Sequence, residues 1–307
     1  MIKRSNTGTL RRNMRLVRIK NVLTPYAYLV PVMLLMAVLM IVPMIMVVQY
    51  SFMDNVIINR HPKFVGFQNY ITVLGDPVFR QTVWQTLYFT VMSVIFHMVL
   101  GLCFALMLNS PLLNRLPKAV FRTIYIMPWM FTATIIAVLW RLLLDPSGVI
   151  NYLLKTFGFI NTYVEWFGSS KTALHAMTFV NIWAGYPLYM VSLLAGLQGI
   201  PSDLYEAAMM DGANARQQFW SITLPQLMPV IKSIAMLDFI WTMQVFALVW
   251  MTTGGGPIHA TEMLSTYTYK LAFSSYKFSL ASASAVIILI FSLVIAAFYV
   301  KHQKVRD

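Results

Sequence analysis

The sequence predicts an all-α membrane protein, a polytopic bundle of six transmembrane helices. Three observations carry this. Of 307 residues, 59% are hydrophobic and 11% charged, against about 25% charged in soluble domains. Mean hydropathy is +0.68, so much of the surface must face lipid. Six stretches reach the ~20 mostly apolar residues that cross a bilayer.

Residues 1–24 form a basic tail, with seven Lys or Arg and no acid between Lys3 and Lys20. The first span, Pro25–Tyr50, is charge-free and interrupted by Pro31 and Pro43. It exceeds the apolar core of a signal peptide, about 7–15 residues, and no small-residue cleavage pattern follows it. It therefore reads as a retained helix. The second span is Gln81–Ser110, charge-free apart from His97. The third is Ala119–Leu144, with Arg122 and Arg141 near its ends, and the fourth is Thr172–Leu197. The fifth, Pro225–Thr252, encloses Lys232 and Asp238; the sixth, Phe278–Val300, is charge-free. Residues 25–300 are thus one six-span domain, with a short tail at 301–307.

Between the spans, Phe64–Tyr70 (FVGFQNY) predicts an aromatic-Gly turn before a helix start. Val149, Leu153, Leu154 and Phe157 predict a short interfacial helix. TGGGPIHATE (253–262) predicts a turn, because three Gly and a Pro cannot continue a helix. Arg141 and Asp145 are four apart and suit an ion pair.

Net charge is +13. Lys and Arg concentrate in the N-terminal tail, near Arg115, Lys118 and Arg122, at Arg216, and at Lys301, Lys304 and Arg306. The positive-inside rule then places both termini in the cytoplasm. Anionic lipid explains the basic tail, and no nucleic-acid partner is required. The single cysteine, Cys103, excludes an intramolecular disulfide and reads as a small buried apolar residue. Five scattered histidines give no metal-binding pair. No intramembrane Ser/His, paired-Asp or HExxH set suggests an enzyme, and no phosphate loop is present.

The 199–225 loop is too elaborate for a simple polar turn. Asp203 followed by Glu206 fits a capping box. Gly212 falls where a left-handed C-cap is wanted. A second short helix is expected from Ala213 to Thr223, with Pro225 opening the fifth span. The paired alanines offer a close, flat surface on which another protein could dock; a well-capped surface loop with no partner would read the same way.

Glu206-Ala207-Ala208, Asp211-Gly212-Ala213, Phe219, Ile222 and Leu224-Pro225 resemble the EAA loop of inner-membrane permease subunits of binding-protein-dependent ABC importers. FVGFQNY (64–70), GLCFALMLN (101–109), WRLLLDPSGVIN (140–151) and TTGGGPIHAT (252–261) resemble the carbohydrate branch, the maltose and glycerol-phosphate type. The resemblance implies a second permease subunit, usually a different chain, and a dimer of a cytoplasmic ATPase. It also implies an extracytoplasmic solute-binding protein and a carbohydrate substrate, a di- or oligosaccharide. It makes the loop a cytoplasmic coupling helix, with Glu206, Ala207, Ala208, Asp211, Gly212 and Ala213 as ATPase-coupling residues. ATP and Mg belong to the partner, and this chain is expected to bind no cofactor.

Ionisable groups inside spans usually face a cavity. Asp238, Trp241 and Gln244 share a helical third of the fifth span and are candidates for the substrate pathway. Asn181, Tyr186 and Tyr189 in the fourth are others. The competing reading for Asp238 is a structural bond to a neighbouring span. His97 reads as an interhelical hydrogen bond and not a proton relay. An ion-coupled secondary transporter is the alternative function, but no inverted repeat is visible.

Overall fold

The computed structural model describes residues 24–110 and 114–302. The predicted tail before Thr24, and Lys304 and Arg306, lie outside the described residues. In chain order the helices are α1 (Thr24–Ser51), α2 (Gln68–Gly75), α3 (Pro77–Asn109), α4 (Arg115–Met130), α5 (Ala133–Leu143) and α6 (Val149–Thr156). Then follow α7 (Ala173–Gln198), α8 (Ser202–Met210), α9 (Ala215–Met243), α10 (Ala247–Thr252), α11 (Leu264–Tyr269) and α12 (Phe278–His302). Five of them, α1, α3, α7, α9 and α12, are long and apolar enough to cross a membrane; α4 and α5 pass the same test only as a bent pair, which makes six if that pair is one span. The turn at Gly66, the short α6 and the 253–262 turn form as the sequence predicts.

The third span is not straight. α4 and α5 meet at 101°, because Phe131 and Thr132 are extended and the Thr132 hydroxyl accepts from the Ile135 amide to start a new helix. Pro128, lacking an amide hydrogen, already weakens the last turn of α4. The fifth span also departs from expectation at both ends. α9 begins at Ala215, runs through a π-helical turn at Phe219–Thr223 and past Pro225, and stops at Met243. Pro225 therefore lies inside the span.

Two further expectations fail. Arg141 does not pair with Asp145; the Ser147 hydroxyl (2.6 Å) and amide (2.9 Å) take that carboxylate instead. Those bonds hold the Asp145 carboxyl below the usual carboxylate range. Cys103 is exposed on α3, because the buried face of that helix follows Gly101, Ala105 and Leu108.

α3 and α7 form the most extensive helix pair, with α9 against both. Their contact is reciprocal. A Cβ on Gly185 would lie 2.3 Å from His97 Nε2, and one on Gly101 would lie 2.3 Å from Tyr189 Cβ. Gly185 makes room for the His97 ring and Gly101 for the α7 backbone at Tyr189 and Met190. Apart from Phe89, the buried face of α3 is polar from Thr82 through Gln85, Thr86, Thr90 and Ser93 to His97. This inverts a soluble helix, since lipid takes the apolar side. One apolar cluster surrounds Trp140, Met177 and Met263; another surrounds Tyr189, Leu193 and Leu227.

The 253–262 turn is bound to α3 by Gln85 Nε2, which donates to the Ala260 carbonyl at 3.0 Å. Glu262, fully buried, takes Lys270 Nζ at 2.6 Å and His259 Nδ1 at 3.0 Å. Gly255 has φ +89°, and a Cβ there would fall 2.7 Å from the Glu262 carboxylate. Gly255→Ala is therefore expected to destabilise the protein by about 1–3 kcal/mol. An unchanged melting temperature in detergent would refute that account of the turn.

Candidate functional site

A cavity of about 430 Å³ opens inside the bundle where α3, α7 and α9 meet the α4–α5 bend. Asp238, Trp241 and Thr242 reach it from α9, Asn181 from α7 and His97 from α3. The bend turns Trp129 and Phe131 towards it, and the break after α9 brings in Phe246. Polar atoms therefore sit among aromatic faces. Trp241 lines the cavity and is 60% exposed.

Asp238 is almost fully buried and well supplied with donors. Thr242 Oγ1 donates to Oδ1 at 2.9 Å, and the Tyr189 hydroxyl to Oδ2 at 3.1 Å. His97 Nδ1 lies 2.8 Å from the same Oδ2. His97 Nε2 is 2.9 Å from the Asn181 carbonyl, which can only accept, so Nε2 carries a hydrogen. Two lone pairs facing across 2.8 Å would repel, so one proton lies between Nδ1 and Oδ2. Whichever atom holds it, the pair has no net charge. His97 thus makes the interhelical bond its isolation in an apolar span suggested. Asp238 both lines the cavity and ties α3, α7 and α9 together.

The other pathway candidates separate. Asn181 lines the cavity, and its Nδ2 donates to Ser93 Oγ at 2.9 Å. Tyr189 reaches the cavity only through Asp238. Tyr186 is buried against Phe104, ring centroids 5.1 Å apart, outside the lining. Gln244 is carried away because α9 ends at Met243; its Nε2 donates to Ser292 Oγ on α12 at 3.4 Å. Sequence reasoning missed Thr242, Trp129, Phe131 and Phe246. Thr242, one turn beyond Asp238, carried a usable signal. The aromatics depend on the bend and the break.

At one end of α7 and α9 the 199–225 loop forms a second candidate site. α8 starts after Pro201, which is already extended, with no side-chain cap. Asp203 therefore lies in the first turn, where an acid still suits the helix dipole, and not at the cap. The capping box is instead Asn214 with Gln217, bonds of 2.9 and 2.8 Å, and it opens α9. Gly212 has φ +79°. Its amide bonds to the Met209 carbonyl at 3.0 Å, and that of Ala213 to the Ala208 carbonyl at 2.9 Å, the Schellman pair. Glu206, Ala207, Asp211 and Gly212 are exposed, with Ala208 and Ala213 half-buried. The Tyr205 hydroxyl meets Thr223 Oγ1 at 2.9 Å and ties α8 to α9. No residue of α8 is buried, and Met210 is 89% exposed.

Residues 97–305 match the family described as the binding-protein-dependent transport system inner membrane component. The chain is similar to a trehalose/maltose transport system permease protein, MalF, of Thermococcus litoralis: 39% identical, over 79% of each chain. It is 32% identical to the sulfoquinovosyl glycerol transport system permease protein SmoG of Agrobacterium fabrum, over 80% of this chain and 78% of that one. It is 31% identical to the probable ABC transporter permease protein YurN of Bacillus subtilis, over 93% and 97%. In fold it is similar to a chain of a bacterial ABC transporter that imports the acidic polysaccharide alginate. That match has a TM-score of 0.82 and 24% identity, and covers 95% of this chain and 98% of that one.

Proposed function

Because the chain belongs to the family of inner-membrane components of binding-protein-dependent transport systems, we propose that it lines, with a second permease subunit, the path by which an importer takes up a carbohydrate. The cavity carries this reading. Sugars present hydroxyls on their edges and C–H groups on their faces, and the wall sets Asp238 and Thr242 beside the exposed ring of Trp241. The likeness to a trehalose/maltose permease supports the same substrate class.

In this reading the chain binds no cofactor. A dimer of a cytoplasmic ATPase holds ATP and Mg and docks on α8. An extracytoplasmic binding protein delivers the sugar, and both termini of this chain are cytoplasmic. Glu206 and Asp211 meet basic groups of the ATPase, while Ala207 and Ala208 allow close approach. α8 follows directly on α7 and is joined through Gly212 to α9, so docking acts on two walls of the cavity.

The test is to purify the tagged protein in mild detergent from its native membrane and assay the complex for ATP hydrolysis. A co-purifying ATPase and second permease, with hydrolysis stimulated by a sugar-loaded binding protein, is the expected result. A folded chain that remains alone and silent towards ATP counts against it. Trp241→Ala is expected to raise the half-saturating sugar concentration roughly two- to tenfold, for a stacking contribution of about 0.5–1.5 kcal/mol. An unaltered value would remove Trp241 from the path. Gly212→Val should leave hydrolysis running without uptake, since a β-branched residue at positive φ costs about 1–2 kcal/mol and disfavours the turn. Normal coupling in that variant would end the case for the loop.

A further inference from the structure

The cavity wall carries no net charge, and we infer that the path accepts an uncharged carbohydrate and rejects acidic ones. This rests on the carbohydrate reading above and narrows it.

Among the described residues lining the cavity there is no Lys or Arg, and Asp238 is the sole carboxylate. Lys232 on α9 and Arg122 on α4 do not line it. The one group able to offer a positive charge, His97, is committed on both nitrogens, to Asp238 at 2.8 Å and to the Asn181 carbonyl at 2.9 Å. A uronate, sulfonate or phosphate entering here would shed water and find no cation in exchange. Burying a charge without a partner is strongly unfavourable. It would also approach the negative end of the His97–Asp238 pair.

A neutral sugar meets the opposite situation. Its hydroxyls are donors as well as acceptors. Asp238, already surrounded by donors from Tyr189, Thr242 and His97, is held in place as an acceptor. The exposed rings of Trp241 and Trp129 suit C–H surface, which a neutral pyranose supplies. His97 is thus a specificity-determining residue: by neutralising Asp238 it makes the wall polar without making it charged.

The experiment uses the importer complex purified from its native membrane. ATP hydrolysis with the binding protein present identifies which saccharide stimulates. That saccharide and its uronic derivative, oxidised at C6 with stereochemistry retained, are then titrated into the complex without the binding protein. Quenching of tryptophan fluorescence reads occupancy of the cavity, with Trp241→Phe as the control that should lose most of the signal. The neutral sugar is expected to saturate at a concentration at least a hundredfold lower than its acid. Saturation by the acid within tenfold of the neutral sugar, or at a lower concentration, overturns the inference and leaves the carbohydrate reading standing. Stimulation only by solutes that are not carbohydrates overturns that reading, and this inference with it. Quenching by neither sugar, after one has stimulated hydrolysis, also overturns the inference, because it removes the cavity from the path.

Discussion

Replacing Gly101 with alanine is expected to lower the melting temperature of the protein by several degrees and to reduce its yield. The added Cβ would lie 2.3 Å from Tyr189 Cβ and 2.9 Å from the Met190 backbone nitrogen. Neither is the far end of a flexible side chain, so α3 and α7 must separate. Separation pulls His97 from Gly185 and lengthens its bond to the Asn181 carbonyl on α7, so the damage spreads through the packed core. Overpacking costs about 1–3 kcal/mol, occasionally more, and native stabilities are about 5–15 kcal/mol. The measurement is the yield of detergent-extracted monodisperse protein and its melting temperature, expected to fall by several degrees. Gly75→Ala is the control, since a Cβ there meets nothing within 4 Å. Equal stability of the two variants would sink the close-contact argument.

His97→Leu is expected to be nearly as harmful for a different reason. It removes one partner of a buried pair and leaves Asp238 with Tyr189 and Thr242 alone. Breaking such a pair costs about 3–5 kcal/mol. Replacing both members by apolar side chains is far milder, so His97→Leu with Asp238→Leu should be more stable than His97→Leu alone. The cycle separates two roles of Asp238. Stability should return in the double variant, and sugar uptake should not, because the cavity has lost its acceptor. A double variant as unstable as the sum of the singles would show that the two side chains do not interact. One that transports normally would show that Asp238 only braces the helices.

The spans were legible because length and apolar composition suffice to find them. Their shapes were not. Composition runs unbroken through Phe131 and Thr132, so nothing apolar or polar marks the 101° bend; Pro128 and the capping capacity of Thr132 are the signals, and both are common inside spans. Gly212 was legible because a left-handed turn calls for its type of residue. The cap of α8 was misplaced because Asp203-x-x-Glu206 fits the pattern, while the extended backbone of Pro201 starts the helix before Asp203; the box that forms, Asn214-x-x-Gln217, opens α9. Asp238, Trp241 and Asn181 stood out as polar or amphipathic groups in apolar helices, and they meet at one cavity. Gln244 was carried along by a helical projection extended beyond the true helix end at Met243. The polar buried face of α3 was hidden for a simple reason. Hydrophobic periodicity seeks an apolar face that points inward, and in lipid the sign reverses.

The continuous course of α9 bears on how the chain can move. From Ala215 to Met243 is 29 residues, about 44 Å at 1.5 Å per residue. One end begins three residues after Gly212, and the other carries Asp238 and Trp241. The regular bonding of α9 is interrupted only by the π-helical turn at Phe219–Thr223 and by Pro225 and Pro229, and from Val230 to Met243 it runs without a break. One helix thus connects the loop to the cavity. Tilting this helix by 5° about its midpoint would displace each tip by roughly 2 Å in opposite directions, so a modest stroke at the loop is enough to reposition the groups that line the cavity.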